Sequence, residues 1–142
     1  MRANIKKLHE DAILPTRGSE KAAGYDLYAN VEAVIEPHKT VMIGTGLAIQ
    51  PPVGMFGAIF ARSGLATKKG LRPANCVGVC DEDYTGEYIV ALHNDSEEAH
   101  TINRGERIAQ VVFLPYLDIE LCEVDDLEVT ERGDGGFGST GV

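Results

Sequence analysis

Basic residues are few: 13 Lys and Arg stand against 22 Asp and Glu, a formal net charge of -9 over 142 residues. That balance excludes a general nucleic-acid or membrane-surface binder, whose attraction to phosphates needs surplus Lys and Arg. An anionic small molecule stays within reach if arginines are concentrated locally, if backbone N–H groups are aimed at it, or if a metal is recruited. Cysteine is scarce too. Cys76, Cys80 and Cys122 cannot all pair within one chain, and without a matching set of histidines they fall short of a structural zinc site. Reduced thiols in a reducing compartment are the expectation. No apolar run reaches the length of a signal-peptide core or a membrane span. The expected location is therefore cytoplasmic, or nuclear in a source with a nucleus.

Helical periodicity is also in short supply, and no internal repeat is visible. Strand-like runs recur instead, separated by Gly, Pro and Asn/Asp clusters, as in all-β domains. Residues 31–35 and 40–43 read as strands around the turn Pro37-His38-Lys39. Residues 46–50 read as a short strand closed by Pro51-Pro52, which cannot donate ladder hydrogen bonds. Residues 55–61 form another, with Phe56, Ala58 and Phe60 on one face. Residues 88–93 and 107–113, rich in Val, Ile and aromatics, are the clearest strands. Leu117, Ile119 and Leu121 alternate with polar neighbours and predict a half-exposed strand. The single predicted helix is short, within residues 63–69 and capped by Gly70. Between residues 118 and 134 lie eight carboxylates and one basic residue, which reads as a solvated face. The expected architecture is a β-sandwich or barrel over residues 1–131, followed by a flexible glycine-rich arm, 132–142.

Several stretches carry chemistry. In ARSGLA (61–66) a strand runs into a turn with an arginine, a hydroxyl and a glycine in succession. The first N–H groups of a short helix, with Ser63, can cradle an anion; an N-cap serine beside a surface arginine is the plainer alternative. In NCVGVCDEDYTGEY (75–88) an apolar strand ends in Asp81, Glu82 and Asp83. The chain then turns at Tyr84-Thr85-Gly86, and a second strand returns. Carboxylates there can activate a water or bind a divalent cation, or merely tip an acidic hairpin. Strands that splay locally would also expose backbone groups able to read a flat base. AGYDLYA (23–29) sets one carboxylate, Asp26, between two tyrosines. RGERIAQVVF (104–113) sets Gln110 inside an apolar strand, where it needs a hydrogen-bond partner.

The last eleven residues, RGDGGFGSTGV, invite two misleading matches. The tripeptide RGD suggests adhesion, but nothing else points to secretion. Gly133, Gly135 and Gly138 spell G-x-G-x-x-G, yet that fingerprint requires a strand before it and a helix after it. A glycine-rich segment can instead close over a ligand as an anion nest, with Arg132 adding charge and Phe137 a stacking face.

Taken in order, AGYDLYA, ARSGLA, GVCDEDYTGE, RGERIAQVVF and RGDGGFGSTG resemble the five motifs of the trimeric deoxyuridine triphosphate nucleotidohydrolases, the dUTPases, across residues 23–141. The resemblance implies a jelly-roll-like β-barrel and hydrolysis of dUTP to dUMP and pyrophosphate. It also implies a homotrimer whose three active sites are each assembled from all three chains. By resemblance, Asp81 is the general base. Tyr84 packs on the deoxyribose, while Asn75 and the backbone at Gly78 and Ile89 read uracil. Ser63, Gly64 and Gln110 hold the phosphates with Arg62 close by, and Asp26 orients water on a Mg²⁺ ion. Phe137 stacks on the base, and Arg132, Gly138, Ser139 and Thr140 clasp the β- and γ-phosphates. The function so implied is to limit uracil in DNA and to supply dUMP for dTMP synthesis. Two rivals are a dCTP deaminase of related fold and a nucleotide-switched regulator of a protein partner. Cys80 departs from the usual aliphatic residue, and its place beside Asp81 raises a possible sensitivity to thiol oxidation or alkylation.

Overall fold

The structure is a computed structural model and describes residues 1–137. Ten strands and one helix follow in order: β1 (Asn4–Lys7), β2 (Tyr25–Tyr28), β3 (Ala33–Ile35), β4 (Thr40–Gln50), β5 (Met55–Phe60), α1 (Ser63–Lys69), β6 (Leu71–Pro73), β7 (Gly78–Cys80), β8 (Glu87–Asn94), β9 (His100–Ile102) and β10 (Arg107–Pro115). One four-stranded sheet runs β1-β4-β8-β6, a second runs β2-β10-β5-β7, and β3 pairs with β9. The ladders among the described strands are antiparallel. The chain is therefore all-β with one short helix, as expected. Its jelly-roll-like layers lie as separate open sheets among the described residues, rather than as a closed barrel.

The core forms where the inward faces of these sheets meet. On β8 the alternation is regular: Tyr88, Val90, Leu92 and Asn94 are buried while the residues between them are not. Leu27 of β2, Ile43 and Leu47 of β4, and Val111 of β10 join them in one continuous cluster. Burying such a side chain contributes about 1.5–3 kcal/mol. The buried amide of Asn94 is fully used: it donates to Ile35 O and Glu98 O and accepts from the Ser96 N–H and hydroxyl. It thereby ties the turn after β8 to β3.

Three expectations change. Residues 40–43 and 46–50 are one strand, β4, whose register with β8 shifts between Gly44 and Ala48. The irregularity is stabilised from β8: the Gly46 N–H donates to the Glu87 carboxylate at 2.7 Å, and the Thr45 hydroxyl donates to Tyr88 O at 2.7 Å. The segments before and after Asp81 do not form a paired hairpin, because β7 pairs with β5 whereas β8 pairs with β4 and β6. Residues 117–122 form no strand, and Leu117, Ile119 and Leu121 are exposed. Alternation sets which way side chains point, but a strand also needs a partner, and within one chain these residues have none.

The helix lies where it was expected. Gly70 closes it in the left-handed region, φ 67°, donating to Ala66 O and Leu65 O, as an αL cap should. Its N-cap is Arg62 and not Ser63, with no side-chain capping bond. The Ser63 hydroxyl is thus not spent on the helix.

Candidate active site

Two groups of predicted residues are assembled by the sheets. The first is centred on β10, which lies between β2 and β5. A bulge between Arg107 and Ala109 sets the register so that Gln110 stands opposite Asp26 on one side and Phe60 on the other. Paired residues in an antiparallel ladder share a face, so Asp26 and Gln110 project together beside the end of β5. Asp26 receives the Arg62 Nε at 2.8 Å and an Arg107 guanidinium nitrogen at 3.4 Å. Gln110 donates through Nε2 to Ala61 O at 3.0 Å, which supplies the partner that a glutamine in an apolar strand requires. Gly24 is part of the same corner: a Cβ there would come within 2.3 Å of the Gln110 Oε1. Ser63 and Gly64 occupy the first turn of α1, both exposed, where helix N–H groups lack intrahelical partners. Nothing in the chain lies within 4 Å of a Cβ built on Gly64, so its own packing does not demand glycine. The corner presents two guanidinium groups, a hydroxyl and free N–H groups, a set suited to phosphate oxygens.

The second group surrounds the start of β8. Because β7 is the edge of its sheet and β6 pairs with β8 only at residues 92–94, β7 and the first half of β8 each keep a backbone edge outside these ladders. Half-buried Gly78 on β7 and exposed Ile89 on β8 carry these open edges, the candidate base slot. The Asn75 Nδ2 stands 3.6 Å from a Cβ built on Gly78. Tyr84 donates its hydroxyl to Glu87 O at 2.9 Å and brings its ring tip against Gly86, where a Cβ would come within 2.6 Å of ring carbon Cζ. Tyr88 stands behind it, ring centroids 6.4 Å apart. A glycine at 86 and a ring at 84 are therefore one feature, in the turn that follows Asp81.

Asp81 follows β7 directly and is exposed. It opens onto a cavity of about 890 Å³ shared with Arg2, Phe56, Val79 and Tyr116. The slot residues Asn75, Gly78, Tyr84 and Ile89 are absent from that lining, so the cavity is neighbouring space and not the base slot itself. Register also fixes how far Asp81 lies from the first group. Cys80 pairs with Gly57, so Asp81 stands near Phe56, six residues back along the chain from Arg62. At about 3.3 Å per residue that is about 20 Å, more than one triphosphate spans. Within a single chain Asp81 is thus set far from the phosphate corner, whereas Gly78 stands opposite Ile59, only three residues along from Arg62.

The tail lies apart from both. Arg132 makes a local bond, Nε to Gly135 O at 2.8 Å, and Phe137 is fully exposed. Gly138, Ser139 and Thr140 lie outside the described residues. Sequence reasoning missed Gly24, Gly86, Glu82 and Arg107. Only the glycines left a signal, being small residues inside motifs already singled out.

Cys80 does not look like a sensitive thiol. It is buried, unlike Cys76 and Cys122, and burial pushes its thiol up to about 11. A thiol held so far above neutrality has almost no thiolate to react. Treated with iodoacetamide near neutral pH, the folded protein should take label at Cys76 and Cys122 and spare Cys80, as read by peptide mass spectrometry. Labelling of Cys80 as fast as the other two would refute its protection.

Comparison with known proteins points one way. The dUTPase family model matches residues 10–141. The deoxyuridine 5'-triphosphate nucleotidohydrolase of Nautilia profundicola is 46% identical over 141 residues, covering 99% of each chain. That of Desulfitobacterium hafniense strain DSM 10664 / DCB-2 is 52% identical over 132 residues, 91% of this chain and 87% of the relative. The structure of Staphylococcus bacteriophage 80alpha dUTPase with dUPNHPP matches with a TM-score of 0.92 at 31% identity over 99% of both chains. Motif order, strand framework and these likenesses agree: the chain belongs to the dUTPase family.

Proposed function

We propose that the protein hydrolyses dUTP to dUMP and pyrophosphate as a cytoplasmic homotrimer, limiting uracil in DNA and supplying dUMP for dTMP synthesis. The observation that carries this reading is the pair of half-sites. One is built for phosphate, the other for a flat base beside a free carboxylate, and one chain holds that carboxylate about 20 Å from the phosphate corner. Sharing between chains joins them. The likeness to a dUTPase with dUpNHpp supports dUTP as the substrate, and three unpaired thiols fit a cytoplasmic location.

In the reaction, uracil enters the slot between β7 and β8, read by the backbone at Gly78 and Ile89 and by Asn75. Cytosine reverses donors and acceptors along its edge, leaving groups in the slot unpaired, which costs several kcal/mol, on the order of a 10⁴–10⁵-fold discrimination in sites built this way. Tyr84, fixed on Gly86, packs against the deoxyribose and leaves no room for a 2′-hydroxyl. Asp81 takes a proton from a water, whose oxygen bonds to the α-phosphorus as the bond to the β-phosphate's bridging oxygen breaks. No covalent protein intermediate is needed, since positioning and charge neutralisation carry phosphoryl transfer. Ser63, Gly64 and Gln110 from a second chain hold the phosphates, with Arg62 adjacent. Arg132 and Phe137 of the third chain's arm, together with Gly138, Ser139 and Thr140, close over the γ-phosphate and the base.

Among the described residues no group of three His, Cys, Asp or Glu could hold a metal ion, and Asp26 already accepts from two arginines. A carboxylate has lone pairs to spare, and Mg²⁺ usually keeps several waters while bound through substrate phosphates and one or two carboxylates. Asp26 therefore fits as an acceptor for one of the ion's waters. When bound, Mg²⁺ supplies neutralisation of the triphosphate.

Pyrophosphate release measured side by side from dUTP, dCTP, dTTP and UTP with Mg²⁺ tests the function. Release should occur from dUTP alone at an appreciable rate. Ammonia from dCTP would favour the deaminase instead, and equal rates with UTP would refute the role given to Tyr84.

A further inference from the structure

The three successive carboxylates at 81–83 are not equivalent. Asp81 and Asp83 are exposed, whereas Glu82 is half-buried. Its Oε2 accepts both the Gly54 N–H at 2.7 Å and the Tyr116 hydroxyl at 2.8 Å. Tyr116 in turn donates its own N–H to Gly54 O at 3.2 Å. One carboxylate oxygen thus joins three segments: the loop after β7, the turn between β4 and β5, and the residue at which the chain leaves β10. The same contact holds the Tyr116 phenol above its usual range, chiefly because ionising it would give up the hydrogen bond it donates to Glu82.

The rest of the loop is tied mainly to itself. Tyr84 N–H donates to Asp81 O at 3.1 Å, and the Tyr84 hydroxyl reaches only Glu87 O. Among the described residues, Glu82 makes the hydrogen bonds by which residues 81–83 grip the sheet from their side chains. Residues 82 and 83 form a turn closed by that Tyr84 N–H to Asp81 O bond, so pinning Glu82 within the turn also fixes the backbone of its first residue, Asp81. We propose that Glu82 is a positioning residue: anchored on Gly54 and Tyr116, it fixes the loop so that the Asp81 carboxylate meets the attacking water. This inference rests on the role proposed for Asp81.

The test uses the full-length protein. Glu82→Ala should lower kcat for dUTP about 10- to 100-fold, the scale on which a displacement of about 1 Å is felt. The Michaelis constant should stay within about threefold, since the base slot and phosphate corner are untouched. Glu82→Gln keeps an oxygen able to accept both donors and should recover most of the turnover. Hydrogen exchange at the Gly54 amide should quicken in Glu82→Ala and not in Glu82→Gln. A wild-type kcat in Glu82→Ala, a Glu82→Gln variant no better than the alanine, or a loss of kcat matched by loss of folded protein in a thermal melt would each overturn the proposal. Wild-type protein assayed alongside separates the two readings: if it leaves dUTP intact, the reaction assigned to the protein fails, while exchange at Gly54 still reports whether Glu82 anchors the loop.

Discussion

Asp81→Asn should lower the turnover of dUTP by on the order of 10²–10⁴-fold, the range a positioned general base contributes. The substitution keeps the side chain's shape and leaves the main-chain turn from Asp81 O to Tyr84 N–H unchanged. It removes only the ability to accept and hold a proton. Substrate binding depends on groups elsewhere: the slot at Asn75, Gly78 and Ile89, and the phosphate corner at Asp26, Arg62 and Gln110. Titration calorimetry with the unreactive dUpNHpp should therefore give an affinity within about threefold of wild type, a difference below 1 kcal/mol. A variant that turns over dUTP at nearly the normal rate would remove Asp81 from its role. A variant that neither turns over nor binds would mean that the carboxylate shapes the slot.

Deleting residues 132–142 is the second large change. Residues 132–137 contribute no strand, the hydrogen bonds of Arg132, Gly133 and Gly135 are local turns, and Phe137 is fully exposed among the described residues. The truncated protein should keep its circular dichroism spectrum, melting temperature and oligomeric size. Its kcat/KM should fall on the order of 10²–10³-fold or more, the scale for removing one preorganised charge-stabilising donor. Loss of base stacking on Phe137 adds about 1–3 kcal/mol if it resembles stacking in single-strand binders. A truncated protein that is unfolded or smaller in size would show the segment to be structural, and the division at residue 131 would fail.

Much of the framework was legible because the strongest strands carry their own signal. In β8 and β10 the runs of Val, Ile and aromatics have few other ways to be buried. For α1, a short polar run ending in Gly70 has a local cause, the left-handed cap. What failed was whatever depends on a partner remote in sequence. Residues 44 and 45 fell between two predicted strands, yet the Glu87 carboxylate and the Thr45 hydroxyl carry β4 straight through. The motif around Asp81 read as a hairpin because its two strands are neighbours in sequence, but pairing is decided across the sheets, and β5 takes β7. Leu117, Ile119 and Leu121 alternate correctly for a strand that one chain cannot pair.

The candidate site divided in the same way. Asp81, Arg62 and Gln110 stand out as residue types because a carboxylate after an apolar strand, an arginine before a helix and a glutamine within a core strand each need a reason. Glu82 had no such contrast, being one acidic residue among three, and its value lies entirely in Gly54 and Tyr116. Asn94 was equally silent, since nothing local marks an asparagine that will be buried with all four of its bonds made.

The spacing of about 20 Å along β5 that separates Asp81 from Arg62 has a further consequence. Under the proposed sharing, folding alone does not yield an enzyme; a newly made chain is a correctly shaped but inert part. Catalytic capacity then rises with the fraction of chains that have found their siblings, so mass action sets how much of the protein is working at low abundance. Dilution becomes an off-switch that needs no inhibitor.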